Sequence, residues 1–233
     1  MDIAKYISLL QRRSLFFPRA NLLGDAFEGS ATKPMVTMRD YIVKNRSTDP
    51  RLNRFINLPD NCSEIMSAAH RNEVVKNCVS CWHMNEHESA AMWSLYMRAN
   101  EGVCIQSTYA KLREALPECV LIGEVRYLDY ATGWFGEDNV FNFIMHKRRS
   151  FEHERELRAI FWEVMGTEEA NTYKSKLTNN GIWFDLDLEK LLESVRVSPL
   201  APHWLFDVVE NLNATYSLNV LARQSDLNGD PVY

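Results

Sequence analysis

The densest run of reactive side chains lies at 147–158, which reads KRRSFEHERELR. Its ordinary meaning is a solvated helix face laced by residues four apart, and Glu152 with Glu156 and Glu154 with Arg158 have that spacing. The run leads straight into an apolar stretch at 157–164 that reads as a strand. Charges at such a junction sit at a sheet edge, where clefts form. There Lys147, Arg148 and Arg158 would hold a phosphate or carboxylate. Glu154 or Glu156 would orient a sugar hydroxyl or stabilise a developing cation. A second acidic feature is GDAFEG at 24–29, where Asp25 and Glu28 lie three apart in a turn whose glycines permit positive φ. It reads as a capped turn, as an acidic loop beside a ligand, or as two carboxylates on a divalent cation.

Two metal-like spacings occur. HMNEH at 83–87 spells H-x-x-E-H, in which His83 and His87 would bind zinc and Glu86 would act as base. That chemistry requires a continuous helix, so that residues four apart share a face. Here the motif straddles a strand end and a helix start, and Asn85 is a good N-cap that would leave His83 outside the helix. CVSC at 78–81 is C-x-x-C, but no second ligand pair has zinc-site spacing. Two cysteines three apart on a strand also point to opposite faces. Zinc is therefore not expected. No Walker lysine motif, no G-x-G-x-x-G and no G-x-S-x-G occurs, which argues against a P-loop NTPase, a Rossmann dinucleotide fold and an α/β-hydrolase elbow.

The elements that must position these groups follow from periodicity and punctuation. Helices are expected at 2–13, 37–46, 63–76 (capped by Ser63), 88–99, 108–116 (capped by Thr108), 137–155, 187–193 and 202–216. Strands are expected at 14–17, 78–83, 103–105, 119–130, 157–164, 182–184, 195–197 and 219–222. Residues 166–180 read as a polar loop. Strands alternate with helices, so the expected fold is α/β, or α+β: one domain over 1–233 with one mixed sheet flanked by helices.

Composition sets outer limits. The chain has 233 residues, 46% hydrophobic and 24% charged, long enough to bury a core without disulfide or metal staples. A net charge of −5 argues against strong duplex nucleic-acid binding, although a single nucleotide or short strand needs little positive surface. The five cysteines, Cys62, Cys78, Cys81, Cys104 and Cys119, are odd in number, and the sequence opens without a basic start and apolar h-region. No stretch approaches 18 consecutive apolar residues. The expectation is a cytoplasmic protein with reduced thiols.

Several segments in order along the chain resemble one bacterial family, domain of unknown function 2971. They are KYISLLQRRSLFFPRANLLGDAFEG, CWHMNEHESAAMWSLY, EGVCIQSTY, GEVRYLDY, KRRSFEHERELRAIF, VSPLAPHW and SDLNGDP. The resemblance implies a bacterial or phage-associated protein from mobile-element and defence neighbourhoods, and it supplies no reaction. The layout is also similar, more distantly, to ADP-ribosyltransferase folds, which cleave the nicotinamide–ribose bond of NAD. That similarity implies an early basic group (Arg19, or Lys5), a middle Ser107-Thr108-Tyr109 and a late Glu154 or Glu156. Cleavage builds an oxocarbenium-like cation that a carboxylate stabilises.

The combined expectation is a cleft lined by Asp25, Glu28, Trp82, Trp93, Tyr96 and the 147–158 run. In it Arg148 and Arg158 hold phosphate, an aromatic ring stacks on a base, and Glu154 or Glu156 carries the chemistry. The leading function is an enzyme acting on a nucleotide-like or nucleic-acid-linked substrate, with NAD as first candidate. The rivals are a non-catalytic sensor or protein-interaction module and a metal-dependent hydrolase using His83, Glu86 and His87.

Overall fold

The computed structural model describes residues 1–97 and 101–229. Helix α1 (Ile3–Arg12) begins at Asp2, whose carboxylate accepts the Lys5 backbone N–H at 2.8 Å, and it buries Tyr6, Leu9 and Leu10. Strand β1 (Ser14–Pro18) follows. Helix α2 (Lys33–Asn45) starts earlier than expected because Pro34 sits in the first turn, where no N–H is needed. Helix α3 (Cys62–Val75) is preceded by Asn61, not by Ser63. Then come β2 (Asn77–His83) and α4 (Ala90–Tyr96), capped by Ser89. The expected extension of α4 to Ala99 ends outside the described residues. Strand β3 (Val103–Gln106) and helix α5 (Tyr109–Ala115), capped by Thr108 as its sequence position predicts, complete the first half.

The expected long strand at 119–130 is two short ones, β4 (Val120–Glu124) and β5 (Arg126–Leu128). The expected helix at 137–155 does not form: a 3-10 turn (Val140–Phe143), strand β6 (His146–Arg148) and a second 3-10 turn (Arg149–Glu154) replace it and lead into β7 (Glu156–Trp162). Within the expected loop at 166–180 lies α6 (Glu168–Lys174), capped by Thr167. Strand β8 (Gly181–Asp185), α7 (Leu188–Leu191), β9 (Ser194–Val197), α8 (His203–Thr215) and β10 (Leu221–Gln224) end the order.

The fold is α/β, and among the described residues the strands lie in four small sheets instead of the one mixed sheet expected. The chain, read as a single domain from sequence, divides into two compact units. A terminal unit comprises Met1–Phe16, Asn85–Val120 and Trp183–Tyr233; an inner unit comprises Phe17–Met84 and Leu121–Ile182. In the terminal unit β9 is central, parallel to β10 and antiparallel to β3. Val103, Val195 and Val197 of this sheet are fully buried, together with Leu188 and Leu191 of α7 and Val209 of α8. Burying each such side chain contributes about 1.5–3 kcal/mol.

In the inner unit β7 is central, antiparallel to β2 from Asn77↔Trp162 to His83↔Glu156, with β4 on its other side. Strands β5 and β6 pair in parallel, Arg126 opposite His146. Val79 and Ile160 pack with Ala20, Val74 and Ile144 into one apolar cluster, and Met35, Phe135 and Phe143 form another. β1 pairs with β8. Gly181 opens β8 at φ +141°, and a Cβ there would stand 2.1 Å from the Phe17 carbonyl oxygen, so only glycine permits this approach.

Candidate functional site

The inner unit gathers most of the residues singled out from sequence. The gathering begins with strand alternation. Opposed residues of an antiparallel pair point to the same face, so Cys81 with Arg158 and His83 with Glu156 share one face of the β2–β7 pair. Glu156 and Arg158 are two apart on β7 and therefore face the same way. Arg158, with no exposed surface, donates from Nε to Glu156 Oε1 at 2.7 Å and from Nη2 to Glu156 Oε2 at 3.0 Å. This is the bidentate geometry that a guanidinium and a carboxylate favour. Its Nη1 donates to Glu28 Oε1 and to the Ile144 carbonyl.

Lys147 on β6 reaches the same carboxylates. Its ammonium donates to Glu154 Oε2 at 2.5 Å and to Glu156 Oε2 at 3.3 Å. Two glutamates two apart meet one ammonium because Arg155 between them adopts a left-handed conformation, φ 38° and ψ 59°. That conformation is costly for a residue with a Cβ, by about 1–2 kcal/mol. It is held by the Arg155 N–H on Glu152 O at 3.2 Å and by the Met84 N–H on Arg155 O at 2.9 Å. The Tyr127 hydroxyl accepts the Glu156 N–H at 2.8 Å.

The acidic turn supplies the remaining carboxylates. The Phe27 N–H donates to Asp25 Oδ1 at 3.0 Å and the Glu28 N–H to Asp25 O at 2.9 Å. Gly29 then turns at φ +72°, and a Cβ there would meet Val74 Cγ2 at 2.2 Å, so the turn lies directly on α3. This fixes Glu28 against Arg158 and Asp25 against Arg148, whose Nη2 donates to Asp25 Oδ1 at 2.7 Å. The side chains of Asp25 and Glu28 are 3% exposed, and that of Arg148 is 34% exposed. The Arg148 guanidinium lies 4.2 Å from the Phe27 ring centroid and 5.2 Å from that of Phe151.

The charges hold one another ionised. Burial favours the neutral form of Glu156, but the hydrogen bonds and charge of Arg158 outweigh it and lower its pKa. Burial likewise pulls the Lys147 ammonium down, and the bond to Glu154 with the nearby carboxylates raises it above its ordinary value. Arg158 is raised by the same balance. Protein atoms crowded around the Cys81 sulfur push its thiol up although the residue reaches the surface, against the charge of Arg158.

The other candidates lie elsewhere. Arg19 of the inner unit donates to the Val75 carbonyl at 2.6 Å, to Glu163 at 2.9 Å and to the Thr178 carbonyl at 3.1 Å. Ser107 is in the terminal unit, where its hydroxyl donates to the Leu191 carbonyl at 2.5 Å. Trp82 belongs to the inner unit, with its indole N–H on Ser80 Oγ at 3.1 Å, whereas Trp93 and Tyr96 belong to α4 of the terminal unit. His83 closes β2, and Glu86 and His87 follow it outside any helix, so the helical face that H-x-x-E-H needs is not formed. Among the described residues no group of three or more His, Cys, Asp or Glu side chains is arranged to hold a metal ion.

Sequence reasoning passed over Phe27, Phe151, Tyr127 and the Cys81 side of β2. The alternation Val79, Cys81, His83 opposite Ile160, Arg158, Glu156 was the available signal. No family model, curated protein or solved structure matches the chain. Among the described residues no helix is long and apolar enough to cross a membrane.

Proposed function

We propose that the inner unit binds a nucleotide-like ligand, with NAD as first candidate, and acts on it with ADP-ribosyltransferase-like chemistry. The observation that carries this is Arg148. It is the cation of the group with a third of its side chain exposed, and it is held between Phe27 and Phe151 with Asp25 behind it. A guanidinium so fixed offers hydrogen bonds to phosphate, and Phe27, 47% exposed, offers a ring to a base. Glu154 supplies the carboxylate for a developing ribosyl cation, because Glu156 is already occupied by two bonds from Arg158 and one from Lys147. Arg158 positions Glu156 and Glu28 and touches no ligand. Arg19 and Ser107 support other parts of the fold and have no role in this site. The motif resemblance adds membership of the domain of unknown function 2971 family, and with it a cytoplasmic bacterial protein of defence neighbourhoods, to the proposal.

The test follows the thermal midpoint of the purified protein against NAD, ADP-ribose and AMP. A ligand at a hundred times its dissociation constant adds about 2.7 kcal/mol. A rise with NAD or ADP-ribose that disappears in Arg148→Ala, with nicotinamide release that disappears in Glu154→Gln, is the expected result. The second reading is a non-catalytic binding module. It is favoured by the mutual pairing of Lys147, Glu156 and Arg158, which commits their charges to one another. Ligand binding unchanged in Glu154→Gln, without nicotinamide release by the wild type, would select it.

A further inference from the structure

Three buried carboxylates, Glu28, Glu154 and Glu156, face two buried cations, Lys147 and Arg158, and the Arg148–Asp25 pair beside them is neutral as a pair. The group therefore carries one surplus negative charge in a region of low dielectric, where charge is normally compensated. The surplus has an address. Glu28 Oε1 is taken by Arg158, while Glu28 Oε2 is buried without a hydrogen-bond partner. A second unmet group belongs to the face of β2 and β7 that carries Arg158, the partner of Glu28. His83 Nδ1 is 2.6 Å from the Glu154 carbonyl, which can only accept, so the ring proton is on Nδ1. In the neutral ring the lone pair is then on Nε2, which is also buried without a partner. Cys81 lies between these positions in the register, opposite Arg158 and two residues from His83, and it is exposed.

We propose that this face of β2 and β7 is a binding site for a small organic cation, an ammonium or amidinium, which donates to Glu28 Oε2 and His83 Nε2 over Cys81. Both unmet groups are acceptors, so the ligand must donate. The surplus charge is negative, so the ligand must be positive. The site does not rest on the nucleotide reading, which depends on Arg148.

Benzamidine is the probe and benzamide its uncharged counterpart. Iodoacetamide labelling of Cys81 is followed peptide by peptide in the full chain at alkaline pH, which draws thiolate from the raised thiol, with the exposed and likewise raised Cys104 of the terminal unit as internal reference. Benzamidine slows labelling of Cys81 severalfold and leaves Cys104 unchanged, and benzamide does neither. Glu28→Gln keeps an oxygen for Arg158 and removes the charge; it weakens benzamidine protection by about tenfold, equivalent to about 1.4 kcal/mol. His83→Gln, which alters the second acceptor without touching the charge network, weakens protection as well and decides the matter if Glu28→Gln does not fold. Equal protection by benzamide, protection undiminished in a folded Glu28→Gln or His83→Gln protein, or no protection by benzamidine overturns the proposal.

Discussion

Arg158 has no surface of its own, and it donates to two carboxylates and a carbonyl. The stability held there belongs to the pairing, because breaking a buried ion pair leaves a charge that water cannot reach. Glu156→Gln is therefore expected to cost about 3–5 kcal/mol in equilibrium urea unfolding. Arg148→Ala removes a charge that is a third exposed and lets water reach Asp25 in its place, so a loss well below that of Glu156→Gln is expected in the same measurement. Gly29→Ala should cost about 1–3 kcal/mol, since it strains a left-handed turn and drives a methyl into Val74; it should also loosen Glu28. At this scale the sequence was informative about residue types. Asp25, Glu28, Lys147, Arg148, Glu154, Glu156 and Arg158 stand out in the primary sequence, and the fold joins them through ion pairs. What was not legible was direction. The pairs expected four apart on a helix, such as Glu154 with Arg158, give way to Glu154 with Lys147 and to Glu156 with Arg158 two apart on a strand. Local charge spacing cannot reveal that a lysine and an arginine point inward.

At the scale of elements, helices with a clear apolar face or a Ser, Thr or Asp cap were the readable ones: α1, α4 and α5 lie close to where their spacing and caps put them. The failures share a cause in tertiary pairing. At 119–130 the alternation is continuous, but the Val125 N–H donates to Glu156 O while the Arg126 N–H donates to Met145 O, so the strand changes partner there and breaks. At 137–155 the basic run imitates a helix, and the left-handed Arg155 forbids one to continue into β7. Helix α6 had a readable start, since Thr167 accepts the Ala170 N–H at 3.2 Å and Glu168 and Glu169 fill the first turn, but its short polar sequence masked it. Thr167→Ala is expected to destabilise the protein by about 1 kcal/mol, measured by urea unfolding.

For the molecule as a whole, two histidines set the acid limit. His70 accepts from Arg39 Nη2 at 3.0 Å and stacks on Phe143, and burial with the charge of Arg39 lowers its pKa below 6.5. His146 stacks on Phe135 and donates from Nδ1 to the Asn142 carbonyl at 2.7 Å, and burial lowers it as well. The unfolded chain takes up these protons first, so stability is complete above pH about 6.5 and declines as pH falls through the lowered values. The lowered Glu156 adds a further loss below its unfolded value near 4.5. The raised Lys147 acts in the opposite sense, its contribution being lost only above about 10.5. Thermal midpoints measured from pH 8 to 5 should fall, and His70→Gln should flatten the fall. The division into two units was hidden from sequence because no composition break or linker marks it: each crossing point, 16/17, 84/85, 120/121 and 182/183, lies in or beside a strand.

That interleaving orders events during synthesis. The inner unit's last residue is Ile182, so all of its segments have left the ribosome before Trp183 follows, whereas the terminal unit waits for the final stretch of the chain to complete its central strand β9. Until then α1 and β3 have been made without the partners that bury them. A nascent chain halted once Ile182 has cleared the ribosomal exit tunnel, with β9 still inside it, should accordingly carry a protease-resistant inner unit on a still-open terminal one.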